Sequence, residues 1–335
     1  MATLKRARPR IGRSDGDGEV PKVSVVIATY RRAPLLPRLV AALESQTLPP
    51  EDFEVIFVDD GSTDETPALL ADLARTSSLS IVVAGDGVNR RQAAARNLGW
   101  TRARAPVVAF TDDDCVPTPS WLERGLEALG PQPRIVVGRT IPDPAQGHLE
   151  GPFSRTITVR DATYFETCNI FYRRSDLEAA GGFDEAFSRH GGEDTDLGWR
   201  IRRRGVEPVF APEALVYHDV KPSDLRAATR DALRWTGIPR VVRLHPEGRS
   251  YLYAGLFWKP SHPAALAAVA GLLLAPRKRA ALALTIPWIW YRVRTAPLVE
   301  GRRQRWLALP GALIVDLAEV TAMVRGSISS RTIVL

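Results

Sequence analysis

From Val23 onward the chain alternates short β-branched runs with stretches of helical periodicity, and no other feature restricts its fold as much. Val23-Ser24-Val25-Val26-Ile27-Ala28 has the composition of a buried strand, and Leu36, Leu39, Val40 and Leu43 recur at helical spacing within 35–46 behind it. Phe53 to Val58 predicts a second strand, followed by a helix that Asp64 caps and that runs to about Arg75. Ser80 to Ala84, Arg91 to Arg104 and Val107 to Phe110 continue the pattern as strand, helix and strand. This order predicts an α/β domain built on a mostly parallel sheet with helices on both faces. Such sheets bind ligands beyond the carboxyl ends of their strands.

Polar signals stand at those ends. Thr29-Tyr30-Arg31 follows the first strand, Asp59-Asp60-Gly61-Ser62 the second, and Thr111-Asp112-Asp113-Asp114-Cys115 the fourth. A single acidic run is commonly a solvated turn. Three polar signals on one edge point instead to one crevice, and carboxylates held at a strand end suit a divalent cation that bridges phosphates.

After the acids, Pro119 and Ser120 open a helix carrying Trp121, Leu122 and Leu126, and Arg134 to Thr140 reads as a strand. Residues 141–165 are Pro/Gly-punctuated and read as a long active-site loop. Thr167 to Tyr172 reads as a strand, Ser175 as the cap of a short helix ending at Gly181-Gly182, and Glu193 to Arg204 as a helix ending at Gly205. Two separate apolar runs follow, Val206 to Ala211 and Ala214 to His218.

Taken together, these motifs resemble glycosyltransferase family 2. The resemblance rests on Val-Ser-Val-Val-Ile-Ala-Thr-Tyr (23–30), Val-Asp-Asp-Gly-Ser-Thr-Asp (58–64), Ala-Ala-Arg-Asn-Leu-Gly (94–99), Phe-Thr-Asp-Asp-Asp-Cys-Val-Pro (110–117), Gly-Gly-Phe-Asp-Glu (181–185) and Gly-Glu-Asp-Thr-Asp-Leu-Gly-Trp-Arg (192–200). It covers about residues 22–220 and implies a GT-A-type, Rossmann-like sheet. It further implies inverting transfer from a nucleotide-diphosphate sugar, assisted by Mg2+ or Mn2+. Ala28, Thr29 and Tyr30 would line the base pocket, and Asp60 would accept a hydrogen bond from the base, most naturally the imide of uracil or thymine. Asp112 and Asp113 would reach ribose or sugar hydroxyls, and Asp114 would coordinate the metal. His218 matches a metal-binding histidine of some relatives, and a neutral imidazole serves Mn2+.

Asp194 matches the family's general base, which must take the proton of the attacking hydroxyl opposite the leaving phosphate. Glu193 is its nearest competitor, and both acids also suit a helix start, where the dipole favours them. Arg96 follows three alanines that let its helix approach the sheet, so it should be partly buried and paired with carboxylates or phosphates. Arg91 departs from the family pattern, standing where many relatives carry glycine. Either its charge grips the donor phosphates or the loop is rearranged. Asp196 and Arg200 have the spacing of a surface pair, Trp199 reads as core or acceptor-pocket wall, His190 as part of a flexible acceptor loop, and Cys115 as a packing residue.

Composition narrows the setting. The 335 residues suffice for a large domain with an appendage, and the net charge of +7 draws many of its arginines from beyond residue 200. Only Cys115 and Cys168 occur, without metal-type spacing, which argues against zinc or a disulfide framework and fits a reducing compartment. Residues 1–21 read as a disordered tail, basic then Gly/Asp-rich, with no secretory signal, so the catalytic domain at 22–220 is expected in the cytoplasm.

Residues 221–335 form a third region. Ser223 to Leu244 reads as a basic helical stretch, and Pro263 to Ala275 and Ala280 to Tyr291 are apolar blocks separated by Arg277-Lys278-Arg279. Each is shorter than the ~20 residues that span a bilayer. Trp288, Trp290 and Tyr291 beside Arg292 and Arg294 suit a membrane interface, and Arg305 to Val324 offers a third apolar helix interrupted by Asp316 and Glu319. The region is expected to be a monotopic attachment on the cytoplasmic face of the plasma membrane; the competing expectation packs it on the catalytic core or a second subunit. Its Trp-rich blocks select lipid over nucleic acid. The combined expectation is a sugar transfer to a hydroxyl of a lipid-linked or polysaccharide acceptor. Two rivals are a nucleotidyltransferase on a similar sheet and a nucleotide-sugar-binding scaffold with a vestigial site.

Overall fold

The computed structural model describes residues 19–187, 191–295 and 302–335. Its centre is one eight-stranded sheet in the order β3-β2-β1-β4-β7-β6-β8-β5. The strands are β1 (Val23–Thr29), β2 (Phe53–Asp59), β3 (Ser80–Ala84), β4 (Val107–Thr111), β5 (Cys115–Pro117), β6 (Arg134–Pro142), β7 (Asn169–Arg173) and β8 (Glu207–His218). β3, β2, β1 and β4 run parallel, β7 is antiparallel between β4 and β6, and β8 runs parallel to β6.

The chain moves outward from β1 through β2 to β3, then returns to the other side of β1 as β4. That reversal opens a crevice between the carboxyl ends of β1 and β4. The parallel part of the sheet lies where the alternating pattern predicts it, and the antiparallel strands come from the segments after the acid cluster. β8 is one continuous strand rather than two runs, because its pairing with β6 absorbs the Pro212-Glu213 interruption as a register shift at Gly138/Arg139.

Helices α1 (Leu36–Glu44), α2 (Thr66–Thr76), α3 (Arg91–Trp100), α4 (Trp121–Leu129), α5 (Arg174–Ala180) and α6 (Glu193–Arg202) cover the sheet. Side chains at 23, 25, 26 and 27 are buried along β1, so the strand is covered on both faces. α3 lies so close to β1 that a Cβ on Gly99 would stand 2.3 Å from Val26 Cγ1. Two expected caps differ. Asp64 lies one residue before the N-cap of α2 and accepts from the Thr66 amide, and α5 begins at Arg174, which puts Ser175 inside it.

The C-terminal region holds α7 (Leu225–Ala232), α8 (Ile238–Leu244), α9 (Ser261–Leu274), α10 (Ile286–Thr295) and α11 (Arg302–Ser330). The expected helical stretch from Ser223 to Leu244 is therefore two helices, parted near Gly237. α11 extends the expected third apolar helix to 29 residues, and its stretch Leu307–Ser330 is long and apolar enough to cross a membrane. Its two interrupting acids are buried: Asp316 accepts from Trp288 Nε1 and Arg292, and Glu319 accepts from Lys259 Nζ and lies 3.2 Å from His262 Nε2. The largest apolar cluster draws on residues 23–216, and two smaller clusters join the C-terminal helices.

Candidate active site

The crevice at the end of β1 is closed by a hydrogen bond between strands. Thr29 Oγ1 donates to Asp113 Oδ2 at 2.8 Å, with both residues buried. Burial, with the neighbouring Asp114 charge, pushes the Asp113 carboxyl up to about 7. Ala28 is half-buried one residue earlier, and Tyr30 presents an exposed ring with the Arg31 guanidinium 5.2 Å from its centroid. Neither joins the acid cluster.

At the end of β2, Asp60 accepts from the Arg90 and Arg91 amides at 2.7 and 2.8 Å. Burial raises its carboxyl, and those two amides oppose the rise. Arg91 has φ +76°, a left-handed backbone that costs a non-glycine residue about 1–2 kcal/mol. The backbone thus keeps a conformation that glycine adopts freely, and the Asp60 hydrogen bond offsets part of the strain. Gly61, at φ +76°, is required where this loop crosses, since a Cβ would lie 2.7 Å from the Asn89 nitrogen. Asp59 Oδ1 accepts from the Ser62 amide and so closes the turn.

β5 pairs Cys115 with His218 on β8, which brings His218 to Asp114. His218 Nε2 is 3.4 Å from Asp114 Oδ1, and its Nδ1 lies 2.9 Å from the Asp219 carbonyl. The carbonyl can only accept, so Nδ1 carries a proton and the ring directs Nε2 at the carboxylate oxygen. A carboxylate beside an imidazole is a donor set suited to Mn2+ or Mg2+. Asp114 and His218 therefore fit such an ion. Cys115 completes the cluster by position only, because burial pushes its thiol well above the ordinary range and keeps it protonated.

Two cations missed by the sequence reading also face Asp114. Lys221 Nζ pairs with Asp114 Oδ2, and Arg32 Nη2 lies 3.8 Å from the same oxygen. Arg32 also approaches Asp113 at 3.7 Å. Burial raises the Asp114 carboxyl, but His218, Lys221 and Arg32 outweigh it and hold the group below its usual value. The signals were present but unremarkable: Arg32 follows Arg31, and Lys221 stands three residues beyond His218.

Arg96 joins the two sides of the crevice. It is only 5% exposed, donating to Asp112 Oδ1 at 3.2 Å and to Glu193 Oε1 at 2.9 Å. Burial opposes its charge, but Asp112 and Glu193 raise its pKa further. Gly192, at φ +107°, turns the chain into α6, whose first residues are Glu193 and Asp194. Asp194 Oδ1 accepts from the adjoining Thr195 amide at 2.7 Å, and among the described residues it has no cation within 4.0 Å. Burial first, then the Glu193 charge, push it up to about 8. Glu166 adds to that rise; its own carboxyl is pushed by burial up to about 7, and its Oε2 has no partner among the described residues. It lies between the loop read at 141–165 and the strand read from Thr167, where no spacing marked it.

The Asp196–Arg200 pair exists, yet it is not a surface pair. Asp196 is buried, accepts from Arg200 Nε at 2.8 Å and lies 2.8 Å from His245 Nε2 of the C-terminal region. Trp199 is buried and stacks on His245 at 6.1 Å between ring centroids. His190 lies outside the described residues.

Comparison with known proteins places this geometry. The family description "Glycosyl transferase family 2" matches residues 24–182, and "Glycosyl transferase family group 2" matches residues 107–296. The validoxylamine A glucosyltransferase of Streptomyces hygroscopicus subsp. limoneus is 32% identical over 275 residues, covering 71% of this chain and 59% of the relative. The pre-mycofactocin glycosyltransferase of Mycobacterium tuberculosis (strain ATCC 25618 / H37Rv) is 33% identical over 235 residues, covering 65% of this chain and 46% of the relative. The chain thus spans less than two thirds of the length of either. The fold is similar to that of the mannosyltransferase PcManGT from Pyrobaculum calidifontis, solved with GDP-Man and Mn2+, with a TM-score of 0.56 and 20% identity over 93% of this chain and 87% of that one. With more than half of its length matched by a family description, the chain belongs to glycosyltransferase family 2.

Proposed function

We propose that the enzyme transfers a sugar with inversion from a UDP- or dTDP-linked donor to a hydroxyl of a lipid-linked or polysaccharide acceptor. Arg96 carries this reading. It ties Glu193 on the acceptor side to Asp112 on the donor side, while Asp194 has no cation within 4.0 Å among the described residues. In the transfer, Asp194 takes the proton of the acceptor hydroxyl while that oxygen bonds to the anomeric carbon and the carbon–oxygen bond to the leaving diphosphate breaks. Glu193, held by Arg96, positions the helix rather than acting as base.

On the donor side, Asp60 keeps lone pairs beyond its two backbone bonds for the imide N–H of uracil or thymine. Ala28, Thr29 and Tyr30 would border the base, and Asp112 and Asp113 would meet ribose or sugar hydroxyls. Asp114 and His218 would hold Mg2+ or Mn2+, which when bound neutralises charge on the leaving diphosphate. Arg32 and Lys221 add fixed positive charge at the same place.

We assign residues 22–220 to catalysis and 221–335 to a helical attachment at the cytoplasmic face of a membrane. Leu272, Leu273, Leu274, Leu282, Ile286 and Trp290 are exposed around Arg277-Lys278-Arg279, an apolar tip with a basic rim. The buried acids of α11 turn inward to other helices, which supports a helix lying against protein rather than crossing the bilayer alone.

The test is release of nucleotide diphosphate from a panel of UDP-, dTDP- and GDP-sugars, with UDP-glucose first because one relative is a glucosyltransferase. Selective turnover that is abolished by EDTA and by Asp114→Ala is expected. Turnover unaffected by either treatment contradicts the metal assignment.

A further inference from the structure

A cavity of about 510 Å³ opens between the loop that leads into α6 and the C-terminal helices. Phe187 and Gly191 form one wall, Arg240 and Arg243 of α8 another, and Ser329 and Ser330 at the end of α11 a third. Among the described residues that line it there is no carboxylate. Arg240 donates to Asp184 Oδ2 at 2.7 Å and rests over the Phe187 ring at 4.6 Å. Arg243 donates one N–H to the Ser330 carbonyl at 3.2 Å and, among the described residues, has no acid within 4.0 Å. Its other guanidinium donors make no bond within the described residues. In contrast, Arg200, Arg203 and Arg292 of the same half are each paired with an acid.

An unneutralised guanidinium in a hollow edged by hydroxyls is the makeup of an oxyanion receptor. Its position gives the anion a role. Gly191, at φ +74°, is fixed against Trp235, whose ring would lie 2.7 Å from an added Cβ. Three residues on is Asp194, and three residues of chain reach at most about 11 Å. Gly191 in the cavity wall therefore lies within about 11 Å of Asp194.

We propose that this cavity is an acceptor subsite that binds a phosphate or diphosphate carried beside the hydroxyl to be glycosylated. This deepens the transferase reading and rests on it. Arg243 supplies the unpaired charge, and Arg240, one turn earlier on the same helix face, supplies the second guanidinium. Phe187 and Leu244 give the site an apolar side for the remainder of the acceptor.

The test titrates pyrophosphate calorimetrically into the full chain with EDTA present, which keeps metal out of the donor crevice, and the Arg243 and Ser329 variants separate this cavity from the Arg32 and Lys221 cations there. Wild-type protein should bind saturably, and Arg243→Ala should weaken binding by about tenfold or more. Because Arg243 also caps α11, Ser329→Glu provides a second variant that leaves the cap in place and should abolish binding by charge alone. Arg243→Lys should retain part of the affinity. Absence of binding by the wild type, or equal affinity in all variants, overturns the subsite. Nucleotide-sugar binding by the same wild-type preparation with Mn2+ separates the two readings: its presence confines the failure to the subsite, and its absence overturns the transferase reading as well. Competition by polyprenyl phosphate in detergent micelles that exceeds competition by glucose 6-phosphate identifies a lipid-linked source. The reverse order identifies a soluble one.

Discussion

Arg96 shows how much one side chain can fix. Its guanidinium is the counter-ion of both Asp112 and the buried Glu193, so Arg96→Ala leaves a desolvated carboxylate without compensation. A loss of about 3–5 kcal/mol is expected, measured by denaturant unfolding. As the proposed base, Asp194 would set the pH dependence: it would work only when ionised and its carboxyl is raised to about 8, so turnover should climb with pH towards that value and level off above it. Glu166→Gln removes a negative charge that helps raise Asp194, and should move the rising limb of the pH–rate profile to lower pH. An unmoved profile would separate Glu166 from the base. Lys221→Ala should tighten Mn2+ binding measured by electron paramagnetic resonance without donor, because the ammonium occupies Asp114. At this scale Asp60 and Asp112 to Asp114 stood out in the sequence because they follow apolar strands, while Glu193 and Asp194 stood out only through the resemblance carried by residues 192–200. Lys221, Arg32 and Glu166 did not, because they reach the site through tertiary contact and carry no local spacing.

At the scale of elements, α6 is held from both ends. Arg96 binds its first residue, while Asp196 in its first turn links Arg200 near its far end to His245 from beyond α8. Burial pushes the Asp196 carboxyl up, but His245 and Arg200 prevail and hold it below its usual value. A depressed folded-state pKa stabilises above the unfolded value of about 3.9, and the contribution fades as pH falls through the folded pKa. Asp196→Asn should therefore lower stability at neutral pH, with the gap to wild type narrowing below about pH 4 in thermal unfolding. A gap independent of pH would contradict the ion-pair account. The i,i+4 spacing of Asp196 and Arg200 was readable as a pair; its burial was not, because His245 stands 49 residues away. The strands β1, β2 and β4 were readable for a different reason: they are buried on both faces and so are predominantly apolar, whereas the largely exposed β3 was readable from its β-branched run alone. β8 misled because a register shift hides the Pro212-Glu213 interruption within one strand.

At the scale of the whole molecule, the sheet gathers donor-side acids at the switch between β1 and β4, and α6 brings the acceptor side to them. On the proposed reading the C-terminal helices complete the acceptor side, and they carry the exposed apolar tip around Leu273. Leu273→Glu should reduce co-sedimentation with anionic liposomes without changing unfolding, and undiminished sedimentation would contradict the attachment. Sequence periodicity disclosed those helices but not their partners, since the contacts of Asp316 with Arg292 and of Glu319 with His262 join different helices. The central claim is that Asp194 is the base of an inverting transfer, and one comparison tests it most directly: turnover and donor affinity of Asp194→Asn beside wild type, with the donor and metal that the wild type uses. The account predicts transfer lowered by about 10²-fold or more with donor affinity nearly unchanged. Wild-type turnover in Asp194→Asn would contradict it.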